Sequence, residues 1–351
     1  MRRKWFFLVA LIWLSRPALW PQPAENQMAR EHAYKSYEFS RAGDLAKAEQ
    51  EMRVALELAP RNPLYHSGLG GILSREGKLG EARESFEKAI QLDPGATAIR
   101  SRLAAVTVEL ARSQARKGLA DEAIRLLERA TEIDPSNELA CLELGALLAD
   151  AHRHNAGLAI ATAAAGRFSH SARAYQMLGF FQMKLQQNVA AAGSYARAVS
   201  LDAQSADASV ELGIAQSAAG MTEEATRTFE AGIRRFPDHA LHYQAYGVLL
   251  ANLSESGQAP LSRAVEMLEV ALRHDASLAE SHYQLGSIAL EKGDLDQARE
   301  HLERAAQQAA SDSRVHFALS RLYRRLGRAT DAAAELERHR VLRKEGEKPG
   351  V

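Results

Sequence analysis

The sequence predicts an all-α protein of stacked helical hairpins. Three observations predict it: an apolar stripe at helical spacing, a proline that stops it, and the return of both about every thirty-four residues. The stretch LGEARESFEKAIQLDP, residues 79–94, shows the first two. Ala82, Phe86 and Ala89 are spaced four then three, which is one face of an α-helix and not the alternation of a strand. Pro94 has no backbone N–H and disfavours helical geometry at Asp93, so the helix ends close to Leu92.

The cadence recurs as Ala48, Met52, Ala55 and Pro60, as Ala123, Leu127, Ala130 and Pro135, and as Ala225, Phe229, Gly232 and Pro237. A second helix precedes each, marked by Leu69-Gly70, Leu144-Gly145, Leu178-Gly179, Leu212-Gly213 and Leu285-Gly286. Glycine costs about 1 kcal/mol in a helix, and it is accepted where two antiparallel helices cross too closely for a side chain. Aligned on these marks, the units begin at Ala29, Pro63, Ala104, Glu138, Ala172, Ala206, Ala240, Ala279 and Ser313.

In period and small-residue pattern the chain resembles the tetratricopeptide repeat family. The resemblance implies a right-handed superhelical solenoid of about nine hairpins over residues 25–346. The units lie near 29–62, 63–96, 97–137, 138–171, 172–205, 206–239, 240–278, 279–312 and 313–346, and a disordered tail follows at 347–351. Where the family has its first tryptophan, this chain has His32, His66, Cys141, Tyr175, Tyr243, His282 and His316, read as packing residues. Seven extra residues, Thr97 to Leu103, amount to almost two turns, so they lengthen a helix without rotating its face. Five more, near SESGQAP, predict a longer turn before a helix beginning near Pro260. The fourth unit is the soft point: its second helix offers Gly157, Ala161 and Ala164, with no large apolar residue between the small ones.

Residues 1–24 have the anatomy of a signal peptide: a basic start, then an unbroken apolar run from Trp5 to Leu14. Arg16 and Pro17 interrupt it well short of the ~20 apolar residues a spanning helix needs. Ala24 suits the residue before a cut, but Gln22 is larger than cleavage prefers, so export with cleavage and an uncleaved membrane anchor both stand. The sequence predicts an exported protein of the cell envelope, with a bacterial periplasm suggested by the style of the leader. Net charge is zero, but Arg2, Arg3, Lys4 and Arg16 belong to the leader, and the mildly acidic remainder argues against nucleic acid as partner. Cys141 is the only cysteine, so no intramolecular disulfide can form.

Signatures of catalysis are absent: there is no HExxH, GxSxG or phosphate loop ending in GK[ST]. The run Gly68 to Gly71 lies inside a helix signature with no strand before it, which excludes a nucleotide loop. His152 and His154, with His170 beyond, form the one cluster that could interest a metal. Spacing of two is not the one-turn geometry of helical metal ligands, and a polar turn explains them. No cofactor is expected. An accessory subunit or metal-dependent enzyme with its site in the fourth unit is the alternative to a non-catalytic scaffold.

The resemblance implies that a peptide or helix of a partner protein docks on the concave wall, at the second, fifth, ninth, twelfth and thirteenth positions of each unit. In the middle units these include Leu139, Leu142, Phe180, Met183, Val210, Ile214, Leu241 and Val248, either a binding floor or residues covered by their own neighbours. The thirteenth position places Arg41, Arg75 and Arg116 in the first three units, with Lys184 later and Arg112 at the ninth position of the third. They either grip an acidic peptide or answer the helix dipole at a C-terminal turn. The candidate partner-binding residues are therefore Arg41, Arg75, Arg112, Arg116, Leu142, Phe180, Met183, Lys184, Val210, Ile214 and Val248. No asparagine stands at the ninth position, so the clamp by which some family members hold chaperone tails is not expected. Residues 314–351 carry a basic excess, read as a solvated terminal face or as a contact for an anionic membrane.

Overall fold

The structure is a computed structural model and describes residues 27–346. The leader at 1–24 and the tail at 347–351 lie outside the described residues. Among the described residues every regular element is an α-helix, eighteen in nine hairpins. Two compact units are formed, one through Asn137 and one from Glu138.

The first unit holds α1 (Gln27–Ala42) with α2 (Leu45–Leu58), α3 (Pro63–Arg75) with α4 (Leu79–Leu92), and α5 (Thr97–Arg116) with α6 (Ala120–Ile133). The second begins with α7 (Glu138–Asp150) and α8 (His154–Arg167), then α9 (Ala172–Lys184) and α10 (Asn188–Leu201), and α11 (Ala206–Ala218) and α12 (Thr222–Arg235). It continues with α13 (Ala240–Glu255) and α14 (Leu261–His274), α15 (Ala279–Lys292) and α16 (Leu295–Gln308), and α17 (Ser313–Arg325) and α18 (Ala329–Gly346). No described helix is long and apolar enough to cross a membrane.

The stripes read from the sequence form the cores. Ala82, Phe86 and Ala89 are buried in α4, as are Ala225, Phe229 and Gly232 in α12. The first-helix glycines admit the large residue of the second helix. A β-carbon on Gly70 would lie 2.9 Å from the ring of Phe86, and one on Gly213 would lie 2.4 Å from that of Phe229. Some helix starts are fixed by side chains that accept a backbone N–H, such as Asn62 from Leu64 and Ser205 from Ala208.

Both insertions are accommodated by helix. α5 has 20 residues where α3 has 13, and the added Ile99 and Leu103 join the core of the first unit. α13 runs to 16 residues against 13 in α11, so SESGQAP is partly helical, and the turn ends at Pro260, the residue that caps α14.

The fourth hairpin departs from the rest. α7 and α8 meet over less of their length than the two helices of any other hairpin, and α8 lies as closely against α9 as against α7. The expected shortfall of large side chains in α8 is made up from α9: a β-carbon on Gly145 would lie 2.0 Å from Met177 Sδ, and one on Gly157 would lie 2.1 Å from the Phe181 ring. Phe181 is fully buried. The turns on either side of this junction are strained. Seven hairpins place glycine at the left-handed turn residue, but here His152 (φ 55°) and Gln186 (φ 58°) adopt it, at about 1 kcal/mol each.

Candidate interaction surface

The second helices α2, α4, α6, α12, α14 and α16 are amphipathic and bury their stripes, whereas the first helices from α3 onward contact neighbours on more of their girth and leave a narrower face to solvent. Large apolar side chains stand on that face. In the first unit they are Tyr37 (56% exposed) and Leu64 (59%). In the second they are Leu139 (45%), Ile214 (43%), Leu241 and Phe317 (44%). All six occupy the second, fifth or ninth position of their repeat. Tyr37, Leu64 and Phe317 were legible from the same register, outside the middle units where the apolar floor was read.

The predicted apolar residues divide. Ile214 projects from the second unit, and Leu142 and Phe180 are half-buried, the latter edge-on to Phe181 at 5.2 Å between ring centres. Met183 packs on the cluster of Ala191, Ala192, Tyr195 and Ala215, and Val248 on Leu268, Leu285 and Ile288. Val210 is only 5% exposed and offers almost no surface. Periodicity did not reveal this, because the neighbouring first helices cover the position in some hairpins and not in others.

The predicted basic residues are all exposed, and three have defined roles. The guanidinium of Arg41 lies 5.7 Å from the centre of the Tyr37 ring, and the Lys184 ammonium 5.3 Å from that of Phe180, both cation–π contacts. Arg75 Nη1 donates to the carbonyl oxygen of Ser40 at 2.9 Å and to Ser40 Oγ at 2.6 Å. Arg325 makes the same bond to the Leu290 carbonyl. A last-turn arginine thus caps the open C-terminal carbonyls of the preceding hairpin's first helix, a specific form of the dipole argument. Arg112 and Arg116 stand in the last two turns of α5.

Two pairs of histidines meet in the second unit, each with one ring buried and one half-buried. His242 is fully buried and its Nδ1 lies 3.0 Å from Nδ1 of His239, whose Nε2 is 3.2 Å from Asp207. With both rings neutral and His239 donating to Asp207, His242 must donate from Nδ1, which leaves its buried Nε2 as an acceptor without a partner. Burial first, and then His239, lower the His242 pKa to about 4, with Asp207 opposing. His282 and His301 repeat the contact at 2.9 Å, and burial lowers both pKa values. Elsewhere the equivalent partner is a carboxylate: His316 faces Glu335 at 2.6 Å, and His32 faces Glu51 at 2.6 Å. Of the residues at the family's first-tryptophan position, Cys141, His282 and His316 are buried, and His32, His66, Tyr175 and Tyr243 are half-buried.

Cys141 is buried, and burial pushes its thiol pKa up, away from reactive thiolate character. The His152 and His154 rings meet edge-on, 5.9 Å apart, in the turn before α8, and His170 is exposed. Among the described residues no three His, Cys, Asp or Glu side chains gather where they could hold a metal ion.

Comparison with known proteins places this architecture. A family model described as tetratricopeptide repeat matches residues 73–140, and a second of the same description matches 35–97, 257–313 and 283–346. No curated protein matches the sequence. Among solved structures, MamA is similar at 26% identity over 48% of this chain and 96% of its own, with a TM-score of 0.42. Yeast Tom70 is similar at 13% identity over 90% of this chain and 92% of its own (TM-score 0.47). The Cut9–Hcn1 hetero-tetramer of the APC/C gives 14% identity over 90% and 80% (TM-score 0.49).

Proposed function

The chain belongs to the tetratricopeptide repeat family, and from that premise we propose that it is an exported, non-catalytic scaffold that holds a peptide or helix of a partner protein in a concave groove formed by its first helices. Proteins of this family bind protein partners and are generally non-catalytic. The observation that carries the reading is the set of large apolar side chains left in water at the groove positions, Tyr37, Leu64, Leu139, Ile214, Leu241 and Phe317. Large apolar side chains recurring at one register offer a partner apolar area to cover, and burying one contributes about 1.5–3 kcal/mol. Arg41, Arg75, Arg112 and Arg116 give the first unit a basic counterpart that suits an acidic segment of the partner. Arg75 spends one nitrogen on Ser40, and a guanidinium has five N–H groups to share. Export rests on the leader at residues 1–24 alone, and the mass of the mature chain distinguishes a cleaved leader from an anchor.

Affinity capture from the source cell's envelope tests the reading, using the chain and a variant carrying Arg41→Glu, Arg75→Glu and Arg116→Glu, with helicity verified by circular dichroism. Capture of a specific partner that the reversal releases is expected. Equal capture by both forms assigns the arginines to helix ends and the contact to the apolar residues. Absence of any specific partner contradicts the scaffold.

A further inference from the structure

The last first helix, α17, carries Arg314, Arg321, Arg324 and Arg325 and no acidic residue. Arg314, Phe317, Arg321 and Arg324 are spaced three, four and three, so they share one helical face, and all four are exposed. They stand at the second, fifth, ninth and twelfth positions of their repeat, in the register from which Leu139, Ile214 and Leu241 project elsewhere in the second unit. No other described first helix brings arginine to the second, ninth and twelfth positions together.

The chain itself shows what such a face takes. Arg314 Nη2 donates to Glu280 Oε2 and to Asp312 Oδ2, both at 2.7 Å, and its Nε donates to Asp312 Oδ1 at 3.2 Å. Glu280 lies one repeat upstream on α15, so a carboxylate from another helix is already seated at one end of the face. One repeat upstream of Arg321 and Arg324 are Ser287 and Leu290, which carry no charge. Among the described residues neither of these two guanidiniums meets a carboxylate, whereas Arg325 donates to the Leu290 carbonyl and Arg328 pairs with Asp331 at 2.6 Å. Two guanidiniums, whose forks match carboxylates, thus stand open on the face that Phe317 shares, and its ring is 44% exposed.

We propose that this face of α17 seats an acidic segment of a partner protein, with carboxylates of the segment on Arg321 and Arg324 and an apolar side chain on Phe317. The contact rests on the scaffold reading and lies in the second unit, on residues distinct from Arg41, Arg75 and Arg116 of the first. A flat anionic surface suits it less. Glu291, exposed at the thirteenth position of the neighbouring α15, would face the same negative charge, whereas a segment can set its carboxylates on α17 alone.

Panning a library of random short peptides on the full chain, at about 0.15 M salt, tests the assignment. Acidic sequences with an apolar residue should be enriched. A synthetic copy, titrated by fluorescence anisotropy, should bind at least about tenfold more weakly when Arg321→Gln and Arg324→Gln are combined, a change that keeps helix propensity and should leave helicity unaltered. Phe317→Ser should weaken it as well. Arg299→Gln with Arg304→Gln removes the same charge from the exposed side of α16 and should leave affinity unchanged. Enrichment of neutral or basic sequences, or equal loss in the two double variants, would overturn the proposal. So would phosphatidylglycerol vesicles that bind the chain through Arg321 and Arg324 while no acidic peptide is enriched. Peptides released by Ile214→Asp, or by the first-unit reversal of Arg41, Arg75 and Arg116, but held by the α17 variant would overturn it and leave the scaffold standing; a library that enriches nothing contradicts both.

Discussion

In the α3–α4 hairpin the bare backbone at Gly70 is covered by Phe86 of the same hairpin, whereas in α7–α8 Gly145 is covered by Met177 and Gly157 by Phe181, both from the following α9. The packing problem is the same, a glycine on one helix and a large side chain to fill its hollow. The first solution fills that hollow from within the hairpin. The second makes the fourth hairpin depend on the fifth, so its stability is a property of the junction. Repeat proteins divide their stability between units and interfaces, and in the fourth hairpin the balance shifts toward the interface.

The largest effect is expected where that dependence is cut. Phe181→Ala leaves a cavity against Gly157 and should cost about 3–5 kcal/mol in urea unfolding, as should Phe86→Ala in its own hairpin. The two should differ in reach: Phe86→Ala loosens a single hairpin, and Phe181→Ala loosens two.

Acid should separate the second unit from the first. His242 protonates near 6.5 in the unfolded chain but near 4 when folded, so the unfolded state binds more protons between these values. Stability from this group is complete above pH 6.5 and falls by about 3 kcal/mol as pH drops through that window. His282 and His301 act in the same direction. His242→Phe should flatten the slope of urea midpoint against pH and remove the unpartnered Nε2. In the first unit Glu49 has its pKa lowered to about 2, chiefly by the Lys78 ammonium at 2.7 Å, and Asp44 and Asp134 are lowered too. The Glu49 contribution is present above pH 4.5 and lost toward pH 2. The half-exposed Lys78 and Arg53 limit it to about 1 kcal/mol, and Glu49→Gln should abolish that loss. Hydrogen exchange resolved by peptide should show the second unit loosening at the higher pH.

A smaller gain is expected at the strained turns. His152→Gly and Gln186→Gly should each stabilise by about 1 kcal/mol, measured by thermal unfolding, because glycine adopts the left-handed conformation freely. The same change at a surface residue with ordinary φ should destabilise.

What the sequence made legible follows from how local each interaction is. Hairpin starts at Pro63, Glu138, Ala172, Ala206, Ala240, Ala279 and Ser313 coincide with helix starts, because caps, prolines and small-residue spacing act within a few residues. The first unit's helix begins earlier, at Gln27, and the third unit's begins at Thr97, where the added residues were expected to lengthen it, since a helix can extend upstream of its repeat without disturbing the stripe. The gap at Ala161 was visible, but its filling was not, because Met177 and Phe181 reach it from the next hairpin. The candidate surface divides in the same way. Arg75 could be placed in a last turn from sequence, yet its bond to Ser40 crosses between hairpins, and the burial of Val210 depends on helices on either side.

The account stands most directly on native-state hydrogen exchange of α8, compared between the natural chain and Phe181→Ala. If the fourth hairpin is completed by the fifth, the amides of α8 should lose protection in the variant as far as those of α9 do, with α3 and α4 unaffected. If α8 keeps its protection while α9 alone loosens, the fourth hairpin holds itself together and the contrast drawn between the two hairpins is wrong.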